Sequence, residues 1–398
     1  MALPLKYNVR NVFVRWRATF ATVLGIALVV AVFVLVQSLA VGLEKSSANT
    51  GDPRNVLVVR KGSTAESSSI ISREQLKSLQ YFEEIQRNEK GQPMISADML
   101  VLINLPRRET NQGEANVLLR GISPVGTELR DQVQLVSGLD KFGTNIQSRW
   151  FTPGKREIVV SKRLASRFAD FNIGDQFKTG PEWLTVVGWM DGGNSAFDSE
   201  CWMDADECRA IFDRDSYSSL LLRPTDDVAK TNLIKRVENE KRLQLLAFTE
   251  TEYYSKQTMT ATPIKWLGGF LATAMSIGAV FAAMNTMYAS VGARTREIGT
   301  LRVLGYRRRT IVLSFLIEGA LLALIGGILG CLLSLPLNGY ATGTIGFETF
   351  SETVFEFTIT SALIAKGLLF SLAVGILGTL LPALRASRLP VIAALKSI

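Results

Sequence analysis

No histidine occurs among the 398 residues. That absence removes the usual general base at neutral pH, the commonest metal ligand and every Ser-His or Cys-His nucleophile pair. Enzyme chemistry would have to rest on carboxylates or lysines. The three cysteines, Cys201, Cys208 and Cys331, fit no zinc-ligand spacing and are too few to staple a small fold. Cys201 and Cys208 could bridge in an oxidising compartment only if a turn before Asp204 folded the chain back. Their separation would span about 10 Å of helix or about 23 Å of strand, against the roughly 5.5 Å a disulfide needs. Acids crowd between 191 and 207 as Asp191, Asp198, Glu200, Asp204, Asp206 and Glu207. They lack the regular spacing of a calcium loop and read as solvated loop charges. No catalytic, cofactor-binding or metal-binding constellation emerges from these residues, so the chain reads as non-catalytic.

The remaining chemistry is that of charge set against a membrane. Hydrophobic residues make up 47% of the chain, with a mean hydropathy of +0.20. Residues 18–43 carry no charge and exceed the roughly 20 residues that cross a ~30 Å hydrocarbon core. They form the first span, too long for the apolar stretch of a cleaved signal peptide. A second apolar segment closes a 263–293 span, and 310–338 and 357–384 supply the third and fourth. Gly326, Gly327, Gly330, Gly375 and Gly378 are small enough to let membrane helices approach closely. Within 18–43, 266–293, 310–338 and 357–384 the only charged residues are Glu318 and Lys366. Glu318 would sit about 13 Å beyond Arg309 along a helix, within the membrane or near its inner face, where an intramembrane carboxylate is expected to pair. A structural contact with a basic residue of the 294–309 connection is the expected role. Lys366 snorkels to the outer surface.

The net charge of +8 is concentrated beside the spans. Residues 1–17, the 294–309 connection and the 385–398 tail are basic, whereas 339–356 carries three glutamates and no base. The positive-inside rule then puts the N-terminus, the 294–309 connection and the C-terminus in the cytoplasm. Residues 1–17 form an interfacial amphipathic helix, with Leu5, Val12, Phe13 and Trp16 on one face. The 44–262 segment lies outside as a large extracytoplasmic α+β domain between the first and second spans. It is nearly neutral overall, which argues against a nucleic-acid face. Strand-like runs fall at 55–60, 117–120, 157–161 and 184–189, and helices at 72–88, 161–168, 204–212 and 226–242. From about Glu250 a helical stalk leads into the second span, interrupted near Pro263. Residues 339–356 are left as a short outer loop.

The run RTREIGTLRVLGY at 294–306, entering LSFLIEGA at 313–320, closely resembles the signature of the FtsX-like, MacB-type ABC transporter permease superfamily, to which DevC and the lipoprotein-release permeases belong. PALRASRLP at 382–390 resembles the end of the same module, with Leu389 where the family often has an acid. REIVVS at 156–161, Gly174 with Asp175, and TVVG at 185–188 resemble its periplasmic core. The resemblance implies a type VII ABC permease of the bacterial inner membrane, a homodimer that works by mechanotransmission with an ABC ATPase carrying ATP and Mg. The chain has no GxxxxGK[ST] loop, so that ATPase is expected in a separate subunit. The 294–309 connection then maps to a coupling helix docking into the ATPase, with Arg294, Arg296, Glu297 and Arg302 as charged contacts and Ile298, Leu301 and Val303 as apolar anchors. The implied function is export or extraction of a hydrophobic or envelope substrate, with a periplasmic adaptor as a possible partner. The alternative is an FtsX-like signalling subunit that activates a cell-wall hydrolase, and a membrane-anchored enzyme is disfavoured by the missing histidine.

Overall fold

The computed structural model describes residues 16–108, 114–257, 261–345 and 351–389. The interfacial helix expected over 1–17 and the tail beyond 389 lie outside these residues, apart from the first turn of the first helix. The chain divides into two compact units. One comprises 1–41, 263–340 and 357–398, and the other 42–262 with 341–356.

The first unit is helical. Helix α1 spans Trp16–Ala48, and four helices long and apolar enough to cross a membrane occur at Thr19–Ala48, Trp266–Ala293, Arg308–Leu337 and Ser361–Ser387. Their apolar residues run all the way round, so large side chains such as Phe20, Leu28, Phe281, Leu332 and Leu369 face outward, as a lipid-facing surface requires. Small residues hold the bundle together. A Cβ at Gly375 would collide with Ala323, one at Gly327 with Ser371, and one at Gly330 would stand 2.5 Å from the Ala27 carbonyl. Close helix approach through glycine replaces the hydrophobic drive that lipid cannot supply.

The second unit is a ten-stranded mixed sheet with short helices. Its strands are β1 (Val56–Arg60), β2 (Ile95–Pro106), β3 (Glu114–Ile122), β4 (Gln134–Val136), β7 (Glu157–Ser161), β8 (Gln176–Thr179), β9 (Glu182–Asp191), β10 (Glu200–Asp204), β11 (Ser219–Leu222) and β12 (Leu245–Thr249). Two short strands, β5 (Gly138–Leu139) and β6 (Asn145–Ile146), pair apart from it. The order is β12-β1-β11-β2-β3-β10-β7-β9-β4, with β8 on β9, and the β3–β10 and β7–β9 pairs are parallel. Both faces are covered, which is why these strands read as continuous apolar runs. In β1, Leu57 and Val59 join a core with Phe197 and Trp202, while Val56 and Val58 turn to Leu220, Leu222 and Leu233.

Helix α2 (Arg73–Gln80) starts at Ser72, whose hydroxyl accepts from Gln75 N while Gln75 Oε1 accepts from Ser72 N at 2.7 Å. It stops well short of the expected residue 88, because Ile85 leaves the helix to bridge Pro224. Helices α3 (Gly126–Leu129), α4 (Lys162–Arg167), α5 (Ala205–Ile211) and α6 (Asp227–Asn239) follow. Helix α7 (Glu250–Gln257) opens the stalk and α8 (Ala261–Ala293) continues the chain, so Pro263 falls in a first turn where its missing N–H interrupts nothing. Residues 339–356, expected as a loop, instead contain an antiparallel hairpin, β13 (Ala341–Ile345) and β14 (Glu352–Glu356), that belongs to the sheet-bearing unit.

The acids between 191 and 207 also depart from expectation. Asp198, Glu200 and Asp204 are buried and hydrogen-bonded, not solvated. Gly192 N donates to Asp198 at 2.7 Å, Trp202 Nε1 donates to Glu200 at 2.8 Å, and Gly154 N donates to Asp204 at 3.1 Å. Asp204 still marks the N-terminus of α5, but its carboxylate caps nothing there. Cys201 and Cys208 are free thiols, because the chain passes from strand straight into helix at Asp204 without folding back.

Candidate coupling site

Helix α9 (Thr295–Val303) joins α8 to α10 (Arg308–Ser334). Gly305, at φ 89°, ends it in the left-handed conformation that a glycine adopts without strain, and Tyr306 N closes on the Leu301 carbonyl at 3.1 Å. The element is therefore a short rigid helix between two sharp turns.

Its expected contact residues separate into two sets. Arg294 and Ile298 point inward. Arg294, only 5% exposed, donates from Nη1 to Glu318 on α10 at 2.8 Å, with Phe315 6.0 Å from the guanidinium. Ile298 is buried among Met287, Val291, Ile311, Phe315, Ala383 and Ala386. Neither is available to a partner chain, because the helices of the same unit already enclose them. The exposed set is Arg296 and Glu297, with Val303 and Leu304 standing 61% and 67% exposed, while Leu301 and Arg302 are half-buried. Arg296, Thr300, Val303 and Leu304 recur at helical spacing and share one outward face. The Arg302 Nε is buried with no hydrogen-bond partner.

The pairing of Arg294 with Glu318 is favourable as a connection more than as a source of stability. Removing one member of a buried pair strands the other charge at a cost of about 3–5 kcal/mol, whereas a pair replaced by apolar side chains can be neutral. The pair thus fixes the start of α9 to α10, while Ile298 holds its middle against α8, α10 and α11 (Ser361–Ser387).

A second constellation, in the sheet unit, gave no signal in the sequence. Arg120 on β3 is 1% exposed and donates to Glu200 from Nε and Nη2, both at 2.7 Å, to Glu66 at 2.8 Å, to Asp98 at 3.2 Å and to the Tyr254 hydroxyl at 3.3 Å. Arg130 donates to Asp98 and lies over the rings of Phe197 and Trp202. Glu250, the first residue of α7, accepts from Asp52 N at 2.9 Å and Asn55 Nδ2 at 2.8 Å. Asn55 in turn accepts from Arg223 at 2.6 Å. The segment that follows α1 and the segment that leads to α8 are therefore fastened to one buried polar network. Burial pushes the Glu66 carboxyl up, but the Arg120 charge and hydrogen bonds outweigh it and hold the group below its usual range. Burial wins at Glu250, whose carboxyl is raised despite nearby Arg130. Its Oε1 and the Arg130 Nε are 4.0 Å apart and neither has a hydrogen-bond partner.

The hairpin is held by charge as well. Glu352, 2% exposed, accepts from Arg107 at 2.8 Å and from Arg167 Nε at 2.9 Å, and Val354 N donates to the Ser199 hydroxyl at 2.7 Å. Arg163 pairs with Glu356 at 2.8 Å.

Two family models match the chain. The MacB-like periplasmic core domain matches residues 19–240, and the FtsX-like permease C-terminal domain matches residues 269–391. The chain is 34% identical over 182 residues to the macrolide export ATP-binding/permease protein MacB of Campylobacter jejuni subsp. jejuni, a match covering 44% of this chain and 27% of that protein. It is 28% identical over 269 residues to the ABC transporter permease YknZ of Bacillus subtilis, covering 62% of this chain and 63% of that one. The chain thus spans about a quarter of the MacB relative and under two thirds of YknZ. Among solved structures, the extracellular domain of the ABC-type transporter YknZ from Gram-positive bacteria aligns at 14% identity with a TM-score of 0.36, over 49% of this chain and 99% of that one.

Proposed function

Since the chain belongs to the FtsX-like, MacB-type family of ABC transporter permeases, we propose that it is the membrane subunit of a type VII machine, moved by ATP hydrolysis in a separate subunit that holds the ATP and Mg. The N-terminus, α9 and the C-terminus face the cytoplasm, and the sheet unit lies outside the inner membrane. Two copies pair, each with its ATPase. The work done is export or extraction of a hydrophobic or envelope substrate, with a periplasmic adaptor as a further partner.

The observation that carries this reading is the anchoring of α9. A surface that merely enforced topology would need arginines alone. Here one arginine is buried against Glu318 and one isoleucine is buried in the bundle, while a separate outward face remains for a partner. Force applied at Arg296, Val303 and Leu304 is passed to α8, α10 and α11 through these internal contacts. Helix α8 follows α7 in the chain, and α7 supplies Glu250 and Tyr254 to the buried network, so the proposed tilt of α8 would be passed to the sheet unit through that chain connection. The scarcity of ionisable groups inside the spans favours transmission of motion over a hydrophilic channel.

The test is a pair of distance probes on the two sheet units of the assembled dimer. The distance should change when the ATPase binds ATP and revert after hydrolysis. An unchanged distance in an actively hydrolysing complex would exclude the lever.

A further inference from the structure

At the end of α10 and α11 nearest α9, a cavity of about 420 Å³ opens between the start of one helix and the end of the other. Its lining combines Arg308, Arg309 and Arg388, at the two helix ends, with Ser387 and with Val312, Leu313, Leu316 and Leu384 further along the same helices. No acid is among the lining residues, and none of the three arginines has a carboxylate partner among the described residues. The first turn of α10 adds positive potential, because its cap residue Arg307 supplies no side-chain acceptor to the free N–H groups there.

We propose that this cavity binds an anionic phospholipid, its phosphate held by Arg308, Arg309 and Arg388 and its first acyl methylenes laid against Val312, Leu313, Leu316 and Leu384. Charge and apolarity follow one another within a single cavity along the axis of two membrane-length helices, the order in which a lipid presents headgroup and chain. Guanidinium groups suit the task because they donate to phosphate oxygens as a planar fork. A soluble phosphate would use the arginines and leave the leucine wall empty. An acidic protein surface would satisfy the charges but has no reason to enter the apolar part. A lipid seated there would brace the α10–α11 pair at the point where α9 delivers its push. The proposal assumes that α10 and α11 span the membrane and is otherwise independent of the ATPase and of any substrate.

The full chain is reconstituted into nanodiscs of phosphatidylcholine containing phosphatidylglycerol, released into detergent, and its retained lipids are counted by native mass spectrometry. Wild-type protein should retain phosphatidylglycerol in preference to phosphatidylcholine. With about one Debye-screened charge interaction per arginine, the triple variant Arg308→Gln, Arg309→Gln, Arg388→Gln should lose retention on the order of a hundredfold. The corresponding triple lysine variant should keep it, which separates lost charge from lost folding. Inorganic phosphate should leave the count unchanged. The proposal is overturned if wild-type protein retains the two lipids equally, if the glutamine variant retains phosphatidylglycerol like wild type, or if inorganic phosphate displaces the lipid. It is also overturned if the glutamine variant loses its ATPase while its lipid count is unchanged, which would assign the arginines to the protein partner. Failure of the chain to remain in nanodiscs would instead count against the membrane reading of α10 and α11.

Discussion

Arg120 concentrates more of the sheet unit's polar interactions than any neighbouring side chain in its network. Replacing it with Met keeps much of the volume but leaves Glu66, Glu200 and Asp98 without their shared cation. The expected loss is about 3–5 kcal/mol, read as a lowered urea midpoint for the sheet unit within the full chain, with Trp202 fluorescence as the probe. Glu250 should behave in the opposite sense with pH. Its folded carboxyl is raised, so the native state binds the proton more tightly than the unfolded chain does, and its effect on stability is lost as pH rises from about 4.5 upward. Glu66 is lowered, so its contribution is present above about 4.5 and is lost as pH falls below that. A Glu250→Gln variant should therefore flatten the decline on the alkaline side. Glu250→Ala should cost about 1–3 kcal/mol at about pH 4 and below, because the Asp52 N–H and the Asn55 amide lose a buried acceptor, and less as pH rises and the wild-type carboxyl is forced to ionise in its buried site. Equal pH profiles for wild type and Glu250→Gln would show that Glu250 is not the group involved. Burial pushes the Cys208 thiol up to about 12 and the Cys201 thiol up as well. Both should stay unmodified by alkylating reagents in the native protein and react fully once it is unfolded.

At the scale of elements, α9 has two faces with different duties, and substitutions should separate them. Val303→Asp with Leu304→Asp places charge on the outward face and should abolish copurification of the ATPase while the chain still inserts and folds. Ile298→Asp puts a charge into the cluster of Met287, Phe315 and Ala383 and should instead reduce the amount of folded protein. If the outward pair leaves copurification intact, the docking role of α9 is wrong. The family resemblance placed a coupling helix at 294–309 and its mixture of charged and apolar residues was plain in the sequence, but the sequence does not say which face a neighbour covers. The assignment of Arg294 and Ile298 to the interior needed α10 and α11 to be in place.

For the whole molecule, the chain enters the sheet unit after α1, leaves it into α8, and enters it again between α10 and α11 through the hairpin. The proposed lever therefore has two further covalent connections, one at each end of the hairpin segment, besides the two flanking the main domain. Glu352→Ala removes the carboxylate that Arg107 and Arg167 share, and hydrogen exchange over 352–356 should accelerate sharply. If the hairpin transmits motion, the ATP-dependent change between paired probes should shrink in the same variant while ATPase copurification persists. Unaltered exchange in Glu352→Ala would show that these ion pairs do not hold the hairpin.

The amino-acid sequence alone determined the four long apolar segments, the basic connections between them and the presence of a large domain that mixes strands and helices. Hydrophobic length and charge are local properties, and a window of about 20 residues contains them. The β-branched run at 157–161 and the helix start at Ser72 were likewise readable, because β-branched composition and first-turn hydrogen bonds are settled by near neighbours. Only the tertiary structure decided that Glu200 and Asp198 are interior, that Arg120 is surrounded by carboxylates from distant segments, and that 341–345 and 352–356 pair as strands of the sheet-bearing unit. Charged residues look the same in sequence whether water or a buried partner satisfies them. Glu66 and Arg120, or Arg167 and Glu352, are far apart along the chain, and it is the closing of the sheet that makes each the solvent of the other.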